Sequence, residues 1–98
     1  MSTVEHKPEQ RQFILDTEEG RGELEYQQTK DGNLVIAHTE VPQKAEGKGY
    51  GSALVKAALE YAKENDLKVM PLCPYAASYI KRHRQEYGDM LTAGFNVW

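Results

Sequence analysis

The segment LVIAHTEVPQKAEGKGYGS, residues 34–52, decides the fold of this chain. It begins with the apolar run Leu34-Val35-Ile36-Ala37, it contains glycines at positions 47, 49 and 51, and a helix-like run follows it. The order strand, glycine loop, helix is therefore predicted. Glycine tolerates positive φ and lets a ligand approach the backbone. The free amides and the positive dipole end of the following helix favour an anion. The segment thus predicts a phosphate-binding loop, with a plain flexible turn as the alternative.

The spacing of the glycines distinguishes this loop from two common nucleotide-binding motifs. A P-loop ends in a Lys-Ser/Thr pair, where this chain has Gly51-Ser52. The dinucleotide fingerprint places its third glycine three positions after the second, which does not occur here. Another kind of phosphate-containing ligand is therefore indicated.

Length and composition limit the class of protein. Ninety-eight residues, 40% hydrophobic and 28% charged, predict one domain spanning residues 1–98, with the polar residues 1–10 expected to be disordered. The net charge of −3 argues against a nucleic acid partner. The local basic stretch Lys81-Arg82-His83-Arg84 is either a solvated helix end or a phosphate contact. No apolar run is long enough for a bilayer, the N-terminus has no signal-peptide core, and the single cysteine suits a reducing compartment, so a cytoplasmic protein without a membrane partner is expected.

Three short strands are predicted in the first half of the chain. Residues 12–16, 23–29 and 34–41 have strand patterns, and the Asp31-Gly32 pair is typical of a hairpin turn between the last two. An antiparallel three-stranded meander follows from this order. In the third strand, regular alternation would place Leu34, Ile36, His38 and Glu40 on one face.

The second half predicts a parallel β-α-β unit. Residues 49–65 have the apolar stripe of an amphipathic helix, and residues 67–72 form a strand parallel to the third by the usual right-handed crossover. Pro71 places that strand at an edge or a bulge. Cys73-Pro74 then begins a second helix, because proline favours the first helical position. The fold class is therefore α/β (α+β), while the conformation of the tail is left open.

Three side chains near the predicted loop could carry chemistry. Cys73 at a helix N-terminus would be biased towards the thiolate. His38 and Glu40 would share a strand face and a proton-transfer task. Each residue also has a purely structural interpretation. Cys73 could be a buried, small apolar side chain, His38 a core or edge residue of the strand, and Glu40 a surface charge. A zinc site from Cys73, His38 and His83 would lack a fourth ligand and a known spacing, so no metal is predicted.

Four segments together resemble the small, truncated GNAT-like N-acetyltransferase family. They are His38-Thr39-Glu40-Val41-Pro42, Gly47-Lys48-Gly49-Tyr50-Gly51-Ser52-Ala53-Leu54-Val55, Val69-Met70-Pro71-Leu72-Cys73-Pro74-Tyr75 and Tyr79-Ile80-Lys81-Arg82-His83. The resemblance implies a truncated GNAT fold, in which the meander joins the parallel β-α-β unit and a C-terminal helix. It also implies that acetyl-CoA binds in a V-shaped opening between the third and fourth strands.

The chemistry of these residues and the resemblance together give a set of site residues. The catalytic candidates are Cys73, His38, Glu40 and Tyr79. The coenzyme-binding candidates are Val41, Pro42, Glu46, Gly47, Lys48, Gly49, Tyr50, Gly51, Ser52, Cys73, Pro74, Tyr79 and His83. The chain departs from the wider superfamily in three places: Glu46 replaces the usual Arg or Gln, Cys73 replaces an Asn, and the superfamily tyrosine aligns with Ile80, one residue after Tyr79.

The function that the resemblance implies is acetyl transfer from acetyl-CoA to an amine, either a small molecule or a protein lysine. A monomer or weak dimer is expected. A non-catalytic coenzyme A-binding module or sensor is the alternative. A redox thiol protein is a third hypothesis, which would require a reactive Cys73 and no affinity for the coenzyme.

Overall fold

A computed structural model describes residues 4–45, 47 and 49–92. The described part of the chain forms one sheet whose strand order follows the sequence. β1, β2, β3 and β4 pair with one another in antiparallel order, and β5 lies parallel to β4. The strands are β1 (Glu5–Lys7), β2 (Gln12–Thr17), β3 (Gly20–Gln28), β4 (Asn33–Glu40) and β5 (Lys68–Pro71).

The helices pack together against one face of this sheet. They are α1 (Tyr50–Glu64), α2 (Pro74–Arg82) and α3 (Arg84–Tyr87). α1 is the crossover from β4 to β5. It buries an apolar stripe that consists of Leu54, Val55, Ala58, Leu59 and Ala62. The Tyr87 hydroxyl donates to Glu60 Oε2 at 2.7 Å and ties α3 to α1. None of the helices in the described ranges has both the length and the apolar character needed to span a bilayer.

The predicted α+β fold with a parallel β-α-β unit is confirmed, but the meander has four strands instead of three. β1 pairs with β2 inside the stretch expected to be disordered, so that expectation fails for residues 5–10; residues 1–3 lie outside the described ranges. The imidazole of His6 stacks on Phe13 at 4.2 Å between ring centroids. Pairing with β2 and the stacking of His6 therefore hold β1 in place. The polar sequence of β1 does not by itself indicate a strand.

A bulge in β4 changes which side chains face the helices. Glu25 of β3 pairs with His38 and Tyr26 pairs with Ile36, so Ala37 has no partner on β3. An extra residue resets the alternation of side chains along a strand. Ile36 and Thr39 are therefore both buried, whereas His38 is exposed. The prediction that His38 and Glu40 share the face of Leu34 and Ile36 is wrong for this reason.

β4 and β5 separate after a short paired segment. The ladder ends at Ile36 and Pro71, where the amides of Leu72 and Cys73 both donate to the Ile36 carbonyl at 3.0 and 3.3 Å. β4 continues to Glu40 without β5 beside it. We call the gap between residues 37–41 and residues 72–73 the strand opening. Pro71 lies in the last strand of the sheet, as expected for a residue without an amide hydrogen.

The start of the C-terminal tail contacts the outer edge of β5. Leu91 forms an isolated bridge with Val69, and the Thr92 amide donates to the Val69 carbonyl at 2.9 Å. Predictions about residues 93–98 lie outside the described part of the chain.

Candidate functional site

The glycine loop and the first turn of α1 form one wall of a cavity beside the end of β4. The cavity has a volume of about 290 Å³. Val41 lines it from the sheet, and Tyr75 and Arg82 line it from α2. The remaining lining residues are Gly47, Gly49, Tyr50, Gly51 and Ser52, all of which belong to the predicted loop. We call this space the loop cavity.

The glycines of the loop are needed for two different reasons. Gly47 and Gly49 have φ values of 85° and 82°, and a Cβ at either position would meet no atom within 4 Å. Their backbone conformation favours glycine, and the space beside them is open to a ligand. Gly51 instead lies under the ring of Tyr75, where a Cβ would come within 2.7 Å of Cε1.

The N-terminus of α1 presents backbone donors to the loop cavity. Gly49 is the N-cap residue and supplies no side chain to cap the helix. The amides of the first turn therefore lack the usual side-chain acceptor, and they point towards the N-terminal end. Arg82 of α2 also lines the cavity and adds a positive charge to it. Backbone donors and a guanidinium group in one cavity form a suitable environment for a phosphate.

Arg82 is a site residue that the predicted set does not include. The sequence indicates only a basic stretch whose role is open. Arg82 lies two helical turns after Tyr75, so both side chains leave α2 on the same side and reach the loop cavity. This spacing is the signal in the sequence that separates Arg82 from its basic neighbours.

Cys73 lies at the strand opening and caps α2. It is 4% exposed. Its Sγ accepts a hydrogen bond from the Ala76 amide at 3.4 Å and lies 3.2 Å from Thr39 Oγ1. The N-cap position expected from Cys73-Pro74 is confirmed. Thr39 is absent from the predicted site because regular alternation would place it on the other face.

His38 and Glu40 lie on the face of the sheet opposite Cys73. Their side chains are 60% and 73% exposed, and Nε2 of His38 is 3.5 Å from Oε2 of Glu40. Glu40 also lines a second cavity of about 440 Å³, together with Val41 and Pro42. The remaining lining residues are Arg21, Glu23 and Gln43. The structure thus keeps His38 and Glu40 together but separates them from the thiol, and Val41 borders both cavities.

Tyr79 and His83 form a stacked pair on α2. Their ring centroids are 4.1 Å apart, and Nδ1 of His83 is 2.9 Å from the Tyr79 carbonyl oxygen. The Tyr79 ring also contacts Tyr87 of α3. Burial raises the pKa of the Tyr79 hydroxyl, and the charges of Glu86 and Glu60 raise it further. Tyr79 therefore keeps its proton at neutral pH, and neither ring lines the loop cavity.

Pro74 is the exposed first residue of α2, and Glu46 and Lys48 lie outside the described ranges. Among the residues that the structure describes, no cluster of three or more His, Cys, Asp or Glu side chains is arranged to hold a metal ion.

A parallel strand pair that opens beside a glycine loop at a helix N-terminus is the arrangement that the resemblance implied. The profile of the family described as GCN5-related N-acetyl-transferase matches residues 12–90. The chain therefore belongs to the GCN5-related N-acetyltransferase family.

Two kinds of relative agree with this assignment. Protein NATD1 from Homo sapiens is 37% identical over 82 residues, which cover 82% of this chain and 73% of the human protein. Protein NATD1 from Xenopus tropicalis is 35% identical over 82 residues, which cover 82% of this chain and 75% of that protein. The NMR solution structure of a GCN5-like protein from Staphylococcus aureus superposes with a TM-score of 0.69 at 27% identity, covering 96% of this chain and 90% of the other.

Proposed function

We propose that this protein is an N-acetyltransferase that uses acetyl-CoA and transfers the acetyl group to an amine, either a small molecule or a protein lysine. The loop cavity is the observation that supports this proposal. It combines open space at Gly47 and Gly49, the uncapped N-terminus of α1 and the Arg82 side chain. All three suit a diphosphate, and the cavity lies next to the strand opening.

The coenzyme-binding role assigned to each residue follows from its position. The amides of residues 49–52 and the Arg82 guanidinium would hold the pyrophosphate. Val41 and Pro42 would flank the pantetheine arm at the end of β4, and Cys73 and Pro74 would flank it at the start of α2. Glu46, Lys48 and His83 remain coenzyme contacts predicted from the resemblance. When bound, acetyl-CoA supplies an activated acetyl thioester.

The proposed roles are divided between the two faces of the sheet. Cys73 lies on the helix-covered side, where it either accepts the acetyl group or lines the pocket. His38 and Glu40 lie on the other side, where we propose that one of them removes a proton from the acceptor amine. We propose a neutral Tyr79 as the proton donor for the departing thiolate. This division lets the acceptor approach from the face opposite the coenzyme.

Two measurements test this function. Titration calorimetry with acetyl-CoA tests binding, and mass spectrometry after incubation with acetyl-CoA and a panel of amines detects acetylated products or an acetyl group on Cys73. We expect micromolar binding and acetylation of at least one amine. Failure to bind acetyl-CoA would overturn the proposal. Binding without any acetylated acceptor would favour the non-catalytic coenzyme A-binding module.

The Cys73→Ala variant tests the role of the thiol separately. We expect the affinity for acetyl-CoA to change less than about twofold, because the phosphate contacts lie in the loop cavity. We expect turnover to fall by roughly tenfold or more if the thiol takes part in the reaction. Full turnover in Cys73→Ala would show that Cys73 only lines the pocket.

A monomer or weak dimer in the cytoplasm remains the expected state.

A further inference from the structure

A buried hydroxyl group lies beside the thiol at the strand opening. Thr39 is 7% exposed, and the cluster in which Cys73 is buried consists of apolar and aromatic side chains. A buried hydroxyl is stable only with a hydrogen-bond partner. Its partner is the Cys73 sulfur, 3.2 Å from Oγ1.

Packing alone does not require a hydroxyl at this position. Valine has nearly the volume of threonine and needs no polar partner, so it would suit a buried strand position at least as well. The bulge at Ala37 is also needed, because without it residue 39 would face the other side of the sheet. The threonine at position 39 and the bulge at Ala37 are therefore both needed to bring a hydroxyl group to the Cys73 sulfur.

The Cys73 sulfur is held from two directions. The Ala76 amide donates to it from the first turn of α2, and the Thr39 hydroxyl contacts it from β4. Both groups can donate to a thiolate, whereas the thiol is only a weak acceptor. These contacts fix the direction of Sγ at the strand opening.

We propose that Thr39 is a positioning residue for Cys73. Its hydroxyl donates to Sγ in the reactive state of the thiol and holds the sulfur at the strand opening. The inference rests on the proposed function, because it assigns the sulfur a place beside the acetyl thioester. It concerns a property of the free protein, however, so it can be tested without the coenzyme.

The test is the rate at which iodoacetamide alkylates Cys73, followed by mass spectrometry of the intact, coenzyme-free protein. The Thr39→Val variant keeps the side-chain volume and removes the hydroxyl, so we expect alkylation to slow by roughly fivefold or more. The Thr39→Ser variant keeps the hydroxyl, so we expect a rate within about twofold of the native protein. The Thr17→Val variant removes a hydroxyl at the β2–β3 turn and should leave the rate unchanged.

A second pair of variants guards against a folding defect. Thr39→Ala and Thr39→Ser have side chains of similar size and differ in the hydroxyl, so the serine variant should react faster even if both are less stable than the native protein. Equal alkylation rates in Thr39→Val and the native protein, or in the alanine and serine variants, would overturn the inference. If the alkylation rates are equal but acetyl-CoA binds normally, the inference fails and the proposed function stands. If alkylation depends on the hydroxyl but acetyl-CoA does not bind, the proposed function fails and the inference about Thr39 stands.

Discussion

At the scale of single residues, the glycines show how one residue type serves different physical needs. Gly49 adopts a positive φ beside open space, whereas Gly51 makes room for the Tyr75 ring. Gly32, in the turn between β3 and β4, also has a positive φ, 85°, and open space around its Cβ position. Gly32 and Gly49 therefore have similar backbone conformations but different surroundings, since only Gly49 lines the loop cavity.

This pair gives a matched test of the loop cavity. Gly49→Ala and Gly32→Ala should each lower the free energy of unfolding by about 1 kcal/mol, because each forces an alanine into the left-handed region. Only Gly49→Ala should also weaken acetyl-CoA binding, because its methyl group enters the space proposed for the phosphates. Thermal unfolding and titration calorimetry measure the two effects. Equal affinities in both variants would show that the coenzyme does not contact this loop.

At the scale of elements, α2 brings together parts of the site that are far apart in the sequence. Its N-cap residue is Cys73, its second residue is Tyr75, which covers Gly51, and its last residue is Arg82 at the loop cavity. Cysteine followed by proline makes the start of α2 predictable from local rules. The approach of Arg82 to the loop depends on how α2 packs against α1, which no local pattern specifies.

The Arg82→Gln variant tests whether α2 contributes to coenzyme binding. We expect the dissociation constant for acetyl-CoA to rise roughly fivefold or more, because a charge-assisted contact with a phosphate is lost. The Lys81→Gln variant is the control, since it removes the same charge from the neighbouring position, which does not line the cavity. Similar losses in both variants would point to general electrostatic attraction instead of a contact by Arg82.

At the scale of the whole molecule, an aromatic cluster joins the first strand to the sheet and to α1. The His6 ring stacks on Phe13 and meets Tyr61 of α1 edge-on at 4.6 Å. Its Nε2 is 2.6 Å from the Tyr26 hydroxyl, to which it offers an acceptor when it carries no proton. Burial lowers the pKa of His6 below 6.5, and the opposing effect of Glu9 is smaller.

The cluster predicts a loss of stability in mild acid. Because the pKa of His6 is lower in the folded protein, the unfolded chain binds more protons as the pH falls through about 6.5. The contribution of His6 is therefore complete above that pH and is lost below it. Thermal melts across this range should show the decrease, and His6→Gln should flatten it. His38→Gln, at an exposed strand position, is the control; an unchanged acid response in His6→Gln would contradict the prediction.

The sequence by itself determined the order strand, glycine loop and helix, and the position of Cys73 at a helix start. These features depend on local periodicity and on the backbone preferences of glycine and proline, which act within a few residues. The same local rules misassigned the first strand, since its pairing with β2 and the stacking of His6 on Phe13 involve residues distant in sequence.

Only the tertiary structure decided which side chains meet at the strand opening. The bulge at Ala37 appears when β3 and β4 pair, and it turns Thr39 towards Cys73 and His38 away from it. The packing of α2 beside α1 likewise brings Arg82 to the glycine loop. The sequence pattern of a strand gives the alternation of its side chains but not the register in which it pairs with the next strand. The sequence pattern of a helix gives its apolar face but not the element against which that face packs.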